Sequence, residues 1–267
     1  MIRQSVVAGL FYPSSASELK RQMSSFITVS GDQQNAIAAI LPHAGYVYSG
    51  DVAGAVISRI RIPELVVLIG PNHYGRGESI AVTAADAWAT PLGDVPVAKD
   101  LRARLLSDIP QLVLDDRPHE QEHSLEVLLP FLQHVRPQVK IVPVALKHLN
   151  LEEASAFGTL LARTVNNWHQ PVLLIASSDM NHFLPAEENV RLDARAIDAM
   201  TRFDVPGLYR VVEECQISMC GVLPVVSVME AAKLSGAKHC ELVRYSHSGE
   251  KSGDNRRVVG YAGLIMN

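Results

Sequence analysis

The chain has 267 residues, is 48% hydrophobic and carries a net charge of −4, enough apolar material for a substantial core. No stretch approaches the roughly 18 consecutive apolar residues of a membrane span, and the opening MIRQSVVAGLFYP lacks the order of a signal peptide. A soluble cytoplasmic protein with no membrane partner is expected. The acidic balance and the lack of a long Lys/Arg run count against nucleic acid as a partner. Three cysteines without a CxxC suggest neither a disulfide framework nor a zinc knuckle.

Apolar, β-branched runs alternate with segments of helical period along the whole chain, the pattern of a layered α/β domain. AIAAIL (36–41) reads as a strand and DVAGAVISRI (51–60) as a helix. LVVLIG (65–70) is a second buried strand, stopped by the turn signal Gly70-Pro71-Asn72, and SIAVTAA (79–85) is a third. ATPLGDV (89–95) reads as a hairpin-like turn ahead of a helix at KDLRARLLSD. Asp115 to Pro118 has the look of an N-cap followed by a first-turn proline, and predicts a helix running through about Gln133. A strand at VKIVPVAL, a helix at LEEASAFGTLLARTVNNW and a strand at PVLLIASS (171–178) follow. Helices near 187–202, 206–214 and 222–235 and strands near 239–246 and 257–265 complete the series. No linker, low-complexity tract or repeat divides it, so one domain over 1–267 is expected.

The reactive side chains fall at strand ends. His43, His73 and the Asp179/His182 pair each stand just beyond the last apolar residue of a predicted strand. In open α/β sheets the ligand crevice lies outside the carboxyl ends of the strands, where such side chains converge. Taken singly, PHAGY reads as a turn with Gly45 at positive φ, GPNH as a capping turn, and Ser178 or Asp179 as an N-cap for the helix near 187. Their conjunction points to one site.

His119 to His123 spells HEQEH, which on a helix sets two imidazoles on one face with a glutamate as base, the pattern of a zinc-dependent hydrolase. The extended form fails here, because Glu126 and Leu129 stand where it needs glycine and a third histidine, and Pro130 shortens the helix. Glu152 and Glu153, the distant acids, begin an exposed-looking helix. Cys220 lies immediately before Gly221 and an apolar helix, where a thiolate is favoured and a metal can bind. Cys215 and Cys240 read as buried apolar residues. There is no GxGxxG and no GxSxG, and Lys251-Ser252 reads as a polar surface loop.

In order along the chain, AGLFYP, PHAGYVYSG, GPNH, EHSLEVLLPFL, IVPV, SSDMNH and MCGVLP resemble the Memo family, whose bacterial and archaeal members are called protein B of the AmmeMemoRadiSam system. The resemblance runs from about residue 3 to the C-terminus. It implies a single-domain, three-layer α/β/α fold with a mostly parallel or mixed central sheet, similar to the class III extradiol dioxygenases. Those are non-haem iron(II) enzymes in which two histidines and a carboxylate hold the metal, whereas Memo-like proteins present a cysteine in place of the carboxylate. Carried over by motif, the implied metal ligands are His43, His73 and Cys220. His123, Asp179 and His182 line the cavity as the implied catalytic groups, His123 or His182 transferring protons and Asp179 orienting His182, and Tyr46 and Tyr48 shape the mouth. The motif histidine of EHSLE is His123, so His119 falls outside it and HEQEH is accidental.

The implied cofactor is Fe(II), with copper or zinc as alternatives, and the implied activity is redox and dioxygenase-like. A thiolate, soft and itself oxidisable, counts against ring cleavage as the reaction. A second implied reading is a non-catalytic module holding a small molecule or peptide in the same pocket, as suggested for animal Memo-like proteins that recognise phosphotyrosine peptides. The family name further implies a functional link to a radical-SAM protein and a small partner protein.

Overall fold

The computed structural model describes residues 1–28, 31 and 33–267. In chain order its elements are β1 (Ile2–Arg3), α1 (Ala16–Phe26), β2 (Ala38–Leu41), α2 (Tyr46–Arg59), β3 (Leu65–Pro71), β4 (Ile80–Val82), β5 (Ala87–Thr90) and β6 (Gly93–Pro96). Next come α3 (Lys99–Asp108), β7 (Val113–Leu114), α4 (Leu129–Val135), β8 (Lys140–Leu146), α5 (Leu151–Asn166), β9 (Val172–Ser177) and β10 (His182–Leu184). The last are α6 (Ala186–Thr201), α7 (Val205–Glu214), α8 (Val222–Leu234), β11 (Cys240–His247), α9 (Gly249–Ser252) and β12 (Val258–Met266).

Apolar runs without polar alternation demand burial on both faces, which a central parallel sheet supplies. The four such runs pair in parallel in the order β2, β9, β3, β8. Period-two geometry then sends alternate side chains to opposite layers. Ala38, Ile40, Val67 and Ile69 join one apolar cluster with residues of α3, α5, α6, α7 and α8. Ala39, Leu41, Val66 and Leu68 join the other, with α1, α2, α4 and the small sheet that holds Trp88. The result is a three-layer α/β/α fold, as expected. The sheet is mixed at its flanks: antiparallel β12 lies outside β2 and carries β10 and β11, while antiparallel β4 lies outside β8 and carries β7. A separate sheet pairs β1, β5 and β6.

Two expectations need correction. The helix predicted from residue 51 begins at Tyr46, with Gly45 as its N-cap at φ −56°, so Gly45 takes no positive φ. Gly50 lies inside that helix and serves packing, since a Cβ there would stand 2.5 Å from the Phe26 ring. The helix predicted from Asp115 does not form; turns run to Leu125, and only a 3-10 turn over Glu126–Leu128 leads into α4. Among the described residues, no helix is long and apolar enough to cross a membrane.

Candidate metal centre

Parallel strands β2, β9 and β3 are neighbours and end on the same edge, so the residues that follow them emerge side by side. These are His43 after β2, Asp179 after β9 and His73 after β3. His123 arrives from elsewhere, on the irregular loop ahead of α4. The His43 and His73 ring centroids are 5.2 Å apart at 75°, and His123 stacks on His73 at 4.8 Å and 13°. One ligand nitrogen from each of the three lies within 4.8 Å of the others, and among the described residues this is the group able to hold a metal ion.

Hydrogen-bond arithmetic fixes the tautomers. Ser177 Oγ donates its single proton to the Ser124 carbonyl at 2.6 Å, so at its 2.8 Å contact with His43 Nδ1 it is the acceptor. His43 therefore carries its proton on Nδ1 and leaves Nε2 as a bare lone pair. His73 Nδ1 donates to Glu122 Oε1 at 2.9 Å, because an ionised carboxylate only accepts, and its Nε2 is bare as well. Acceptors behind Nδ1 orienting Nε2 are the arrangement that metal-binding histidines use. His182 Nδ1 donates to the Ser218 carbonyl at 2.9 Å, which gives the same tautomer.

Burial keeps the rings of His43, His123 and His182 neutral. Burial, reinforced by His73, His123 and His182, pushes His43 well below the ordinary histidine value. Burial likewise lowers His123 against the raising effect of Glu122, and lowers His182 against that of the Ser218 backbone. Burial raises Glu122, but its hydrogen bond from His73, the electrostatic attraction between the two side chains and the Ser124 amide outweigh this and hold it at about 2. Its carboxylate also accepts the amides of His73 at 2.7 Å and His123 at 3.0 Å.

Cys220 stands ahead of α8, whose N-cap is Gly221. Its Sγ lies 3.3 Å from His43 Nε2, facing the bare lone pair. Burial, and then the Asp179 carboxylate, push the thiol upward, so it donates its proton to the ring. Asp179 is pushed up to about 7 by burial, against the amides of His43 and Ala44. It accepts the His43 amide at 2.8 Å. His182 takes its orientation from Ser218 instead, through both its amide and its ring, and Ser218 is fixed by Asn181 Oδ1. Ser178 does not cap α6: its hydroxyl accepts the Gly221 amide at 3.1 Å, while Pro185 occupies the cap. Tyr46 is buried, its hydroxyl donating to the Val127 carbonyl, whereas Tyr48 is exposed.

The HEQEH reading fails on geometry. Residues 119–123 are not helical, and buried His119 turns away to pack on Trp88, with Nε2 donating to the Ala81 carbonyl at 3.2 Å. Glu122, Ser177, Ser218 and Ser124 are the functional side chains and backbone that the sequence reading passed over. Glu122 had a signal, a glutamate directly before the motif histidine. The serines had none beyond their position at strand and turn ends.

The fold and its histidines define an α/β protein with a cluster able to bind metal at the carboxyl edge of its parallel strands. The chain belongs to the Memo family, whose model, described as Memo-like protein, matches residues 3–265. It is 42% identical to a MEMO1 family protein of Aquifex aeolicus over 99% of both chains. It is 39% identical to one of Methanococcoides burtonii, over 99% of this chain and 100% of that one. Among solved structures, the uncharacterized protein JW3007 of Escherichia coli K12 is similar in fold, with a TM-score of 0.62 and 14% identity over 86% of this chain and 99% of that one.

Proposed function

We propose that this is a metal-binding, redox-capable protein in which His43 and His73, with Cys220 and His123, hold a transition metal. Fe(II) is the expected ion, with copper or zinc as the alternatives. The observation that carries this reading is that His43 and His73 each have Nδ1 committed to an acceptor behind the ring, so that bare Nε2 lone pairs are available beside a thiol. Neutral imidazoles with a sulfur donor suit a borderline or soft first-row metal. When bound, such an ion would supply Lewis acidity to an oxygen-bearing substrate, and iron or copper, unlike zinc, would add one-electron chemistry.

The chain's own groups supply the rest. Ser177 and Glu122 orient the two rings, and Asp179 anchors the backbone of His43. His182, with Nδ1–H tied to Ser218, offers Nε2 as the proton acceptor. Anaerobic purification followed by metal quantification in wild type, His43→Ala, His73→Ala and Cys220→Ser tests the reading. Metal is expected in wild type and reduced in each variant; equal content in all four refutes it.

A further inference from the structure

Arg3 is a buried arginine in the two-residue strand β1, far in sequence from the metal centre, with a side chain 7% exposed. Each of its three nitrogens donates to the segment 119–126 that carries Glu122 and His123, and Nη1 also reaches the Gln4 carbonyl at 3.3 Å. Nε donates to the His119 carbonyl at 2.6 Å, Nη2 to the Glu122 carbonyl at 2.6 Å, and Nη1 to Glu126 Oε2 at 2.7 Å. The guanidinium also stacks over Trp88 at 4.1 Å. Glu126 is fully buried, and its carboxylate accepts the Val6 and Val7 amides and the Tyr12 hydroxyl. Phe11, on the same N-terminal segment, packs its ring on His123 at 4.8 Å.

We propose that Arg3 is a positioning residue of the histidine cluster: its planar fork clamps the irregular loop 119–126 so that Glu122 meets His73 and His123 stacks beside it. A loop without a helical ladder has carbonyls that need donors, and those of His119 and Glu122 receive them from one rigid guanidinium. An ammonium in its place reaches fewer acceptors and has no plane to stack. The ring of His73 is thereby set through two steps, from Arg3 to the Glu122 backbone and from the Glu122 carboxylate to Nδ1. This inference rests on the metal-binding reading for its purpose but not for its test.

The decisive variant is Arg3→Lys, which keeps the charge opposite Glu126 and loses the fork. In metal-free protein, long-range 15N spectra of the histidine rings should show the His73 and His123 signals displaced and the His182 signal unmoved. Titration with Co(II) should show a dissociation constant raised roughly 10-fold or more, the scale at which residues behind metal ligands act. Leu161→Ala, in α5 on the opposite face of the sheet, should lower the melting temperature without moving either readout. Should Arg3→Lys not fold, Glu126→Gln, which takes the charged partner from Nη1 and leaves the contacts to the His119 and Glu122 carbonyls, is expected to displace the same two ring signals by less. Unmoved His73 and His123 signals in the folded variant overturn the proposal, and so does an equal displacement in Leu161→Ala. If wild type binds no Co(II), the metal-binding reading falls, and the ring signals still decide the role of Arg3.

Discussion

Glu122→Gln isolates the role of one buried carboxylate. Oε1 of Glu122 accepts His73 Nδ1 at 2.9 Å, the His123 amide at 3.0 Å and the Ser124 amide at 2.9 Å, while Oε2 accepts the His73 amide at 2.7 Å. A glutamine has one acceptor oxygen. Placed where three donors converge, it turns its NH2 against the His73 amide and leaves that buried donor unpartnered, at a cost of about 1–3 kcal/mol. The three remaining bonds lose their charge assistance, which is roughly half of each bond's strength. The total is about 3 kcal/mol, or a fall of roughly 6–12 °C in melting temperature for a chain of this size. Rotating the amide instead places NH2 against His73 Nδ1 and drives the ring to its other tautomer, with the proton on Nε2. Thermal unfolding and ring 15N chemical shifts of the metal-free protein read the two effects together. A melting temperature within about 1 °C of wild type, with the His73 tautomer unchanged, refutes the reasoning, because the worked loss is several times larger.

Three further outcomes follow from groups around the site. Asp193 is fully buried and accepts the Asn181 amide, Asn189 Nδ2 and the Tyr245 hydroxyl, and burial pushes it up to about 6 despite these donors. A carboxyl raised on folding stabilises the fold below its unfolded value and loses that contribution as pH rises through the folded value. In urea unfolding the stability of wild type relative to Asp193→Asn should therefore fall by about 3 kcal/mol between roughly pH 4 and pH 6.5, since the other titrating groups contribute alike to both proteins and cancel in the difference. In Gly221→Ala, the new Cβ stands 2.3 Å from the Ser177 carbonyl and 2.5 Å from Ser178 Cβ, neither able to yield. A loss of about 1–3 kcal/mol is expected, with faster alkylation of Cys220 as α8 is displaced. His119→Gln should leave metal content at the wild-type level, and loss of metal would reinstate the HEQEH centre.

Much of the fold is legible in the sequence because it follows from burial alone. Four unbroken apolar runs demand a sheet covered on both faces, and the amphipathic segments between them supply the cover. The strand-exit positions of His43, His73 and Asp179 are legible for the same reason, since the last apolar residue marks where each strand leaves the core. What stays hidden is contact between segments distant in sequence. Nothing local to Ser177 reveals that its hydroxyl joins His43 Nδ1 to the Ser124 carbonyl. Likewise α2 starts at Tyr46, because its glycines let it pack on α1 at Phe26, a partner that the local pattern does not name.

The failed helix between Asp115 and Gln133 is the informative error. One turn does form, in which the Asp116 carbonyl accepts the amides of His119 and Glu120, but the Asp116 carboxylate is taken by Thr83 and the Ala84 amide and caps nothing here. Beyond that turn the ladder is displaced by stronger partners. The amides of His123 and Ser124 go to the Glu122 carboxylate, and the carbonyls of His119 and Glu122 go to Arg3. Charge-assisted bonds of this kind are roughly twice as strong as the neutral bonds of a helix, so the loop gives up nothing by unwinding. Unwinding gives the segment something a helix lacks. On a helix His119 and His123 would share a face, whereas here His119 is buried against Trp88 and His123 alone reaches His43 and His73. The buried charges Arg3, Glu122 and Glu126 thus select which histidine joins the cluster, and their cost in desolvation is offset by the backbone groups they satisfy.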